Sequence, residues 1–271
     1  TRSCRAGRRM TPDLMTALSE LLHYAQAWFT DAGLVFARIG AFFALLPVFG
    51  ERVVPARVRL IAALAMTVIV APVVGPLIPT LPGTPIAAAF FLGAESLVGV
   101  ALAMGLRLMV MVLQMAGTMA AQATSLSQAF GGAGVDPQPA FSQVLVMAGL
   151  AAIVVMGFPE RLAALLVLSY DVFPSGIWPD PAALARWGTA RIAYAFGLAF
   201  SLAAPFVIAS GLYNLALGAI NKAMPQLMVA FIGAPALTLG GLVLMLIAAP
   251  LMVGVWMSAF ATIMADPVLL P

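Results

Sequence analysis

"IAAAFFLGAESLVGVALAMGLRLMVMVLQMAGTMAAQA", residues 86–123, runs thirty-eight positions without a proline and carries two ionisable side chains, Glu95 and Arg107. Its apolar spacing predicts one helix. At ~1.5 Å per residue that helix would approach ~57 Å, against ~30 Å for the hydrocarbon core of a bilayer. A helix of that length must tilt, break or leave the membrane. Working outward, residues 60–94, 108–135, 137–159, 192–221 and 223–265 contain no Asp, Glu, Lys or Arg. Each run exceeds the ~20 residues that cross a bilayer as a helix.

The whole chain is built this way. Of its 271 residues, 63% are hydrophobic and 8% charged, whereas a soluble domain carries roughly 25% charged residues. Too little polar surface exists to cover a water-soluble fold. No alternating strands suggest a barrel, so backbone hydrogen bonding in lipid leaves helices. The expectation is an all-α integral membrane protein of long kinked helices and hairpins, with residues 10–271 as one domain. Residues 1–9, "TRSCRAGRR", hold four of the thirteen basic residues and the single cysteine, Cys4. They read as an upstream extension, with Met10 near the natural start. The net charge of +3 therefore does not point to nucleic acid.

Breaks follow the punctuation. The amphipathic start, 13–30, leads into an apolar run crossed by Arg38; "PVFGERVVPARVR" (47–59) then interrupts it. "PVVGPLIPTLPGTP" (72–85) cannot form a continuous helix. Later segments span 140–157, 160–172, 183–220 and 226–264, with "PSGIWPDP" (174–181) as a link. Pro205, Pro235 and Pro250 predict kinks or helix ends. Arginines cluster on both sides of the first apolar segment, so the positive-inside rule gives no consistent orientation.

Catalytic patterns are absent: no nucleophile elbow, no H-E-x-x-H, no phosphate-cradling P-loop and no close carboxylate dyad. His23 is the single histidine, which excludes a histidine-rich metal site. No cofactor and no enzymatic activity are expected. Three ionisable residues read as buried: Arg38, Glu95 and Arg107. Glu95 and Arg107 are twelve residues apart, about 120° around a helix, and cannot pair on one straight helix. A pair between Arg38 and Glu95 across two helices is open, as is proton or ion translocation.

Two polar stripes stand out. Gln114, Thr118, Gln122 and Ser125 fall on one helical face, and Ser210, Asn214, Gly218 and Asn221 repeat the spacing. They serve interhelical hydrogen bonding, a subunit interface or the wall of an aqueous conduit. The first stripe leads into "SLSQAFGGAGVDPQPAFSQ" (125–143), an unusually long, flexible and lightly charged connection.

Four segments together resemble the FliR family of type III export gate subunits. "ARIGAFFALLPVFGERVVPARVRLIAAL" carries Arg38, Pro47, Phe49, Gly50, Pro55 and Arg59 of its opening pattern. "AESLVGVALAMGL" carries Glu95, Gly99, Gly105 and Leu106, and "AGTMAAQATSLSQAFGGAGVDP" carries Gly117, Gln122, Leu126, Ser127, Asp136 and Pro137. "NLALGAINKAMPQLMVAFIGAPA" carries Leu217, Gly218, Pro225, Gln226, Val229, Ile232, Gly233 and Pro235. Met228 and Ala230 stand where the family usually has Asn and Phe.

The resemblance implies a structural, channel-forming subunit that passes unfolded flagellar proteins across the bacterial inner membrane, in the flagellar basal body. It implies FliP-like and FliQ-like partners in a multi-subunit helical gate, with FlhB-like and FlhA-like export proteins alongside. Within that reading, residues 125–136 are the candidate plug: Ser125, Leu126, Ser127 and Gln128, a sealing Phe130, and the flexible Gly131, Gly132 and Gly134, with Asp136 and Pro137 at the return turn. Gln114, Thr118, Gln122, Asn214, Pro225 and Gln226 are the candidate interface or conduit face. Two readings compete: an ordinary external loop at 125–136, and a secondary solute transporter in place of a gate. The transporter would call for midplane ligands and a repeated half, and neither is visible.

Overall fold

A computed structural model describes residues 12–46, 55–79, 84–124, 140–223 and 229–267. Seven α-helices account for nearly all of them: α1 Pro12–Leu45, α2 Ala56–Val74, α3 Pro85–Thr124, α4 Ala140–Val155, α5 Phe158–Val172, α6 Pro181–Ala223 and α7 Val229–Ala265. Among the described residues there is no strand. Of the described helices, five are long and apolar enough to cross a membrane, with up to six spans if the bent α4–α5 pair is one. The chain is an all-α membrane protein.

The long apolar run is one helix of 40 residues, about 60 Å at the usual rise. It is the axis of the molecule: α1, α4, α6 and α7 all pack against it. In turn α2 lies on α1, α5 reaches both α2 and α7, and α6 pairs with α7. The core-facing side of α3 is made of small and apolar residues, among them Leu102, Ala103, Leu106, Met109, Leu113, Ala116 and Ala120. Small residues let helices approach where no hydrophobic force drives them together in lipid. At Gly117 a Cβ would overlap the backbone of Ser142 in α4, and at Gly149 of α4 it would overlap the Leu113 side chain.

Helix ends follow local chemistry. Asp180 caps α6, its carboxylate oxygens accepting from the backbone N–H groups of Ala182 and Ala183 at 3.3 and 3.0 Å. Pro181 follows at the first helical position, where its missing N–H costs nothing. α2 continues through Pro72 and gives way at Gly75–Leu77 to a single 3-10 turn. α4 and α5 meet at 77°, with Gly157 at φ 76°, a left-handed conformation that glycine adopts without a Cβ penalty.

Of the two outcomes expected at the prolines, kinks or helix ends, the helix end does not occur. α6 runs unbroken through Pro205 and α7 through Pro235 and Pro250, so none of the three ends a helix. A proline removes one backbone hydrogen bond, and neighbouring residues of a long, laterally packed membrane helix absorb that loss.

Candidate functional site

Two charges of the first half of the chain, Arg38 and Glu95, meet where α1 packs on α3. Arg38 and Glu95 are both fully buried, and Arg38 Nε donates to Glu95 Oε2 at 2.7 Å. The rest of the guanidinium is equally occupied. Nη1 donates to the Ser169 carbonyl and hydroxyl, both at 3.1 Å, and Nη2 to the Phe173 carbonyl at 3.0 Å. The Tyr170 ring lies beneath it, 3.7 Å from Cζ to the ring centroid. Glu95 Oε1 accepts from the Ser175 hydroxyl at 2.8 Å and from the Gly176 N–H at 3.0 Å.

Every part of this cluster has a physical reason. An unpaired charge inside a membrane protein is expensive, and a pair offsets its own desolvation only when the remaining donors and acceptors are also met. Here the extra partners come from the C-terminal end of α5 and the turn that follows. Gly176 permits that turn: its φ is 75°, and a Cβ would run into the Phe91 ring of α3. The cluster thus ties α1, α3, the end of α5 and the 173–176 turn at one buried point. The Arg38 and Glu95 bonds are directed inward and hold these elements together as a clamp, while the buried Tyr170 hydroxyl beside them has no hydrogen-bond partner among the described residues.

Arg107 does not belong to it. The sequence groups Arg107 with the buried charges, but in the structure it is exposed. Twelve residues beyond Glu95, it points about 120° away around α3, to a side that none of the described helices covers.

That open side also carries the first polar stripe. Gln114 and Thr118 are half-buried and Gln122 is exposed; the Thr118 hydroxyl donates to its own helix at the Gln114 carbonyl, 2.7 Å away. In the second stripe Ser210 is buried, donating to the Val207 carbonyl at 3.0 Å, while Asn214, Gly218 and Asn221 are exposed. Among the described residues, no hydrogen bond joins the two stripes. Residues 125–136, which hold the candidate plug with Asp136, and the sites at Pro137, Pro225 and Gln226 lie outside the described residues. So do residues 1–9 and Met10.

Further contacts were not visible in the sequence, among them those of Trp256 and Tyr213. Trp256 of α7 is fully buried, and its indole N–H donates to the Met109 carbonyl in the middle of α3 at 2.7 Å. A lone tryptophan inside an apolar run is a signal of this kind, since a buried indole N–H needs an acceptor. Near the α6–α7 connection the Tyr213 hydroxyl donates to the Gly233 carbonyl at 2.8 Å. Leu217 and Tyr213 crowd the space a side chain at Gly233 would need.

The family model for bacterial export proteins, family 1, matches residues 29–263. The flagellar biosynthetic protein FliR of Caulobacter vibrioides is 33% identical over 230 residues, covering 83% of this chain and 90% of its own. The chain belongs to the FliR family. A second FliR, from Bacillus subtilis, is 31% identical over 222 residues, covering 74% of this chain and 79% of its own. Membership in the FliR family makes this a membrane-embedded export protein of the flagellar apparatus, a structural component of that machinery. The matched span takes in the Arg38–Glu95 clamp, the outward face of α3 and the Tyr213–Gly233 contact.

Proposed function

We propose that this FliR-family chain is a channel-forming subunit of the flagellar export gate in the bacterial inner membrane. Together with FliP-like and FliQ-like subunits it surrounds a conduit for unfolded flagellar proteins, with FlhB-like and FlhA-like proteins alongside. Residues 125–136 plug the conduit at rest. The observation that carries this reading is the outward face of α3. Gln114, Thr118 and Gln122 lie on the uncovered side of a helix of 40 residues and lead directly into the glycine-rich stretch. The Thr118 hydroxyl is met within its own helix, but the Gln114 and Gln122 amides on such a face require water or polar partners, because lipid offers neither. The helix is also about twice as long as a bilayer needs, which suits a subunit shielded in large part by other subunits.

The plug is tested in the assembled complex. Shortening 125–136, or Phe130→Gly, leaves assembly intact and makes the complex conduct ions in planar bilayers. Stiffening the stretch with Gly131→Pro and Gly132→Pro slows secretion into the medium without a leak. An ion-tight complex that exports normally with the shortened loop makes the stretch a connector.

A further inference from the structure

We propose that Arg107 is a fixed positive charge on the water-filled wall of the conduit, and that it biases the open conduit toward anions. The inference rests on the conduit reading above and adds a residue and a selectivity to it.

The argument begins with helix geometry. Counting 100° per residue, Met104, Arg107, Met111, Gln114, Thr118 and Gln122 fall within a sector of about 80° on α3. The remainder of the helix circumference is where α1, α4, α6 and α7 pack. Within the sector, Arg107 and Gln122 are exposed, Met104 and Met111 are each 41% exposed, and Gln114 and Thr118 are half-buried. Arg107 makes no ion pair with any carboxylate of the described residues. Two other arginines among the helices are buried: Arg38 has its guanidinium bonded to Glu95, Ser169 and Phe173, and Arg191 donates to the Pro267 carbonyl. The same protein thus buries and bonds Arg38 and Arg191 but leaves Arg107 exposed.

Three surroundings are available to the Arg107 side: lipid, a partner carboxylate or water. Lipid is the costliest, since a guanidinium within a spanning helix turns to protein or to a water-filled cavity. A partner carboxylate would need about one turn of polar surface. Polar side chains instead recur from Arg107 through Gln114 and Thr118 to Gln122, with Met111 among them, over fifteen residues or about 22 Å along the axis, and the sequence then runs into the stretch assigned to the plug. A face on which polar groups recur over that length, alongside the exposed Met104 and Met111, is better served by water than by lipid or by one partner carboxylate. On a low-dielectric wall a single charge acts on every ion that passes.

The test uses complexes with residues 125–136 shortened, reconstituted in planar bilayers under a salt gradient. Relative to Arg107, the chloride-over-potassium permeability ratio falls about threefold for Arg107→Gln and by about that factor again for Arg107→Glu, near 0.1 M salt. The differences shrink near 1 M salt, where the screening length is only ~3 Å. Arg107→Lys retains the wild-type ratio. Equal ratios for all four side chains at low salt overturn the proposal. Loss of assembly with Arg107→Gln, restored by Arg107→Lys, also overturns it, because the arginine is then an interface ion pair. If the shortened complexes do not conduct at all, the plug reading fails, and a second measurement still decides this one. In a Cys4→Ser background, Arg107→Cys in the intact complex reacts with a charged, membrane-impermeant thiol reagent if the position faces water. Protection from that reagent, with labelling only by a lipid-soluble one, refutes the wall assignment.

Discussion

α3 holds Arg38 twice: Glu95 pairs with its guanidinium at 2.7 Å, and one turn later Gly99 lies against its backbone carbonyl, where a Cβ would overlap. Residues four apart share a helix face, so the charge contact and the close backbone approach are one device. The glycine brings α1 near enough for the short arginine–glutamate bond, and the bond keeps α1 seated over the glycine.

Removing one member of the pair should therefore cost more than removing both. Glu95→Ala strands a buried guanidinium and is expected to destabilise the protein by about 3–5 kcal/mol. Arg38→Leu combined with Glu95→Leu should recover part of that loss. Thermal unfolding of the purified protein in detergent reads both, and a double variant no better than the single one would show that the pair does not act as a unit.

The close approach has its own expected outcome. Gly99→Val forces α1 away from α3 and should cost about 1–3 kcal/mol or more, as overpacking does. Gly197→Ala in α6, where nothing lies within 4 Å of an added Cβ, should be neutral or slightly stabilising, since alanine is the better helix former. Equal effects at the two positions would remove the special role of Gly99.

Trp256 should separate packing from hydrogen bonding. Trp256→Phe removes the donor to the Met109 carbonyl and is expected to cost about 1 kcal/mol beyond the lost area. Trp256→Ala opens a cavity between α3, α4 and α7, where Gly149 and Leu113 also meet, and should cost about 3–5 kcal/mol. Unfolding midpoints in detergent give the comparison. Identical midpoints for the two variants would mean that the indole hydrogen bond accounts for the whole contribution.

For Gln226, bracketed in sequence by Pro225 and Pro235, the expected role is at a subunit contact. Gln226→Ala should reduce recovery of FliP-like and FliQ-like subunits with the tagged chain while leaving its membrane insertion unchanged. Normal recovery and normal secretion would leave that segment as a plain connection.

Composition alone determined the class of this protein. Long uncharged runs admit only helices in a bilayer, because every backbone polar group must be satisfied within the segment. The burial of Arg38 and Glu95 and the availability of one for the other were legible for the same reason: charges in apolar runs need partners. The ~60 Å length of α3 was also written in its uninterrupted spacing. Tertiary packing decided the rest. Glu95 and Arg107 sit on the same helix in similar company, and only the arrangement of α1, α4, α6 and α7 determines which sector is covered. The partners of Glu95 at Ser175 and Gly176, and the acceptor of Trp256 at Met109, lie 80, 81 and 147 residues away in sequence. The left-handed Gly157 that turns α4 into α5 and the prolines that α6 and α7 absorb belong to the same class. Local spacing states what a segment can form; which face it buries and what it meets there depend on contacts that local sequence does not contain.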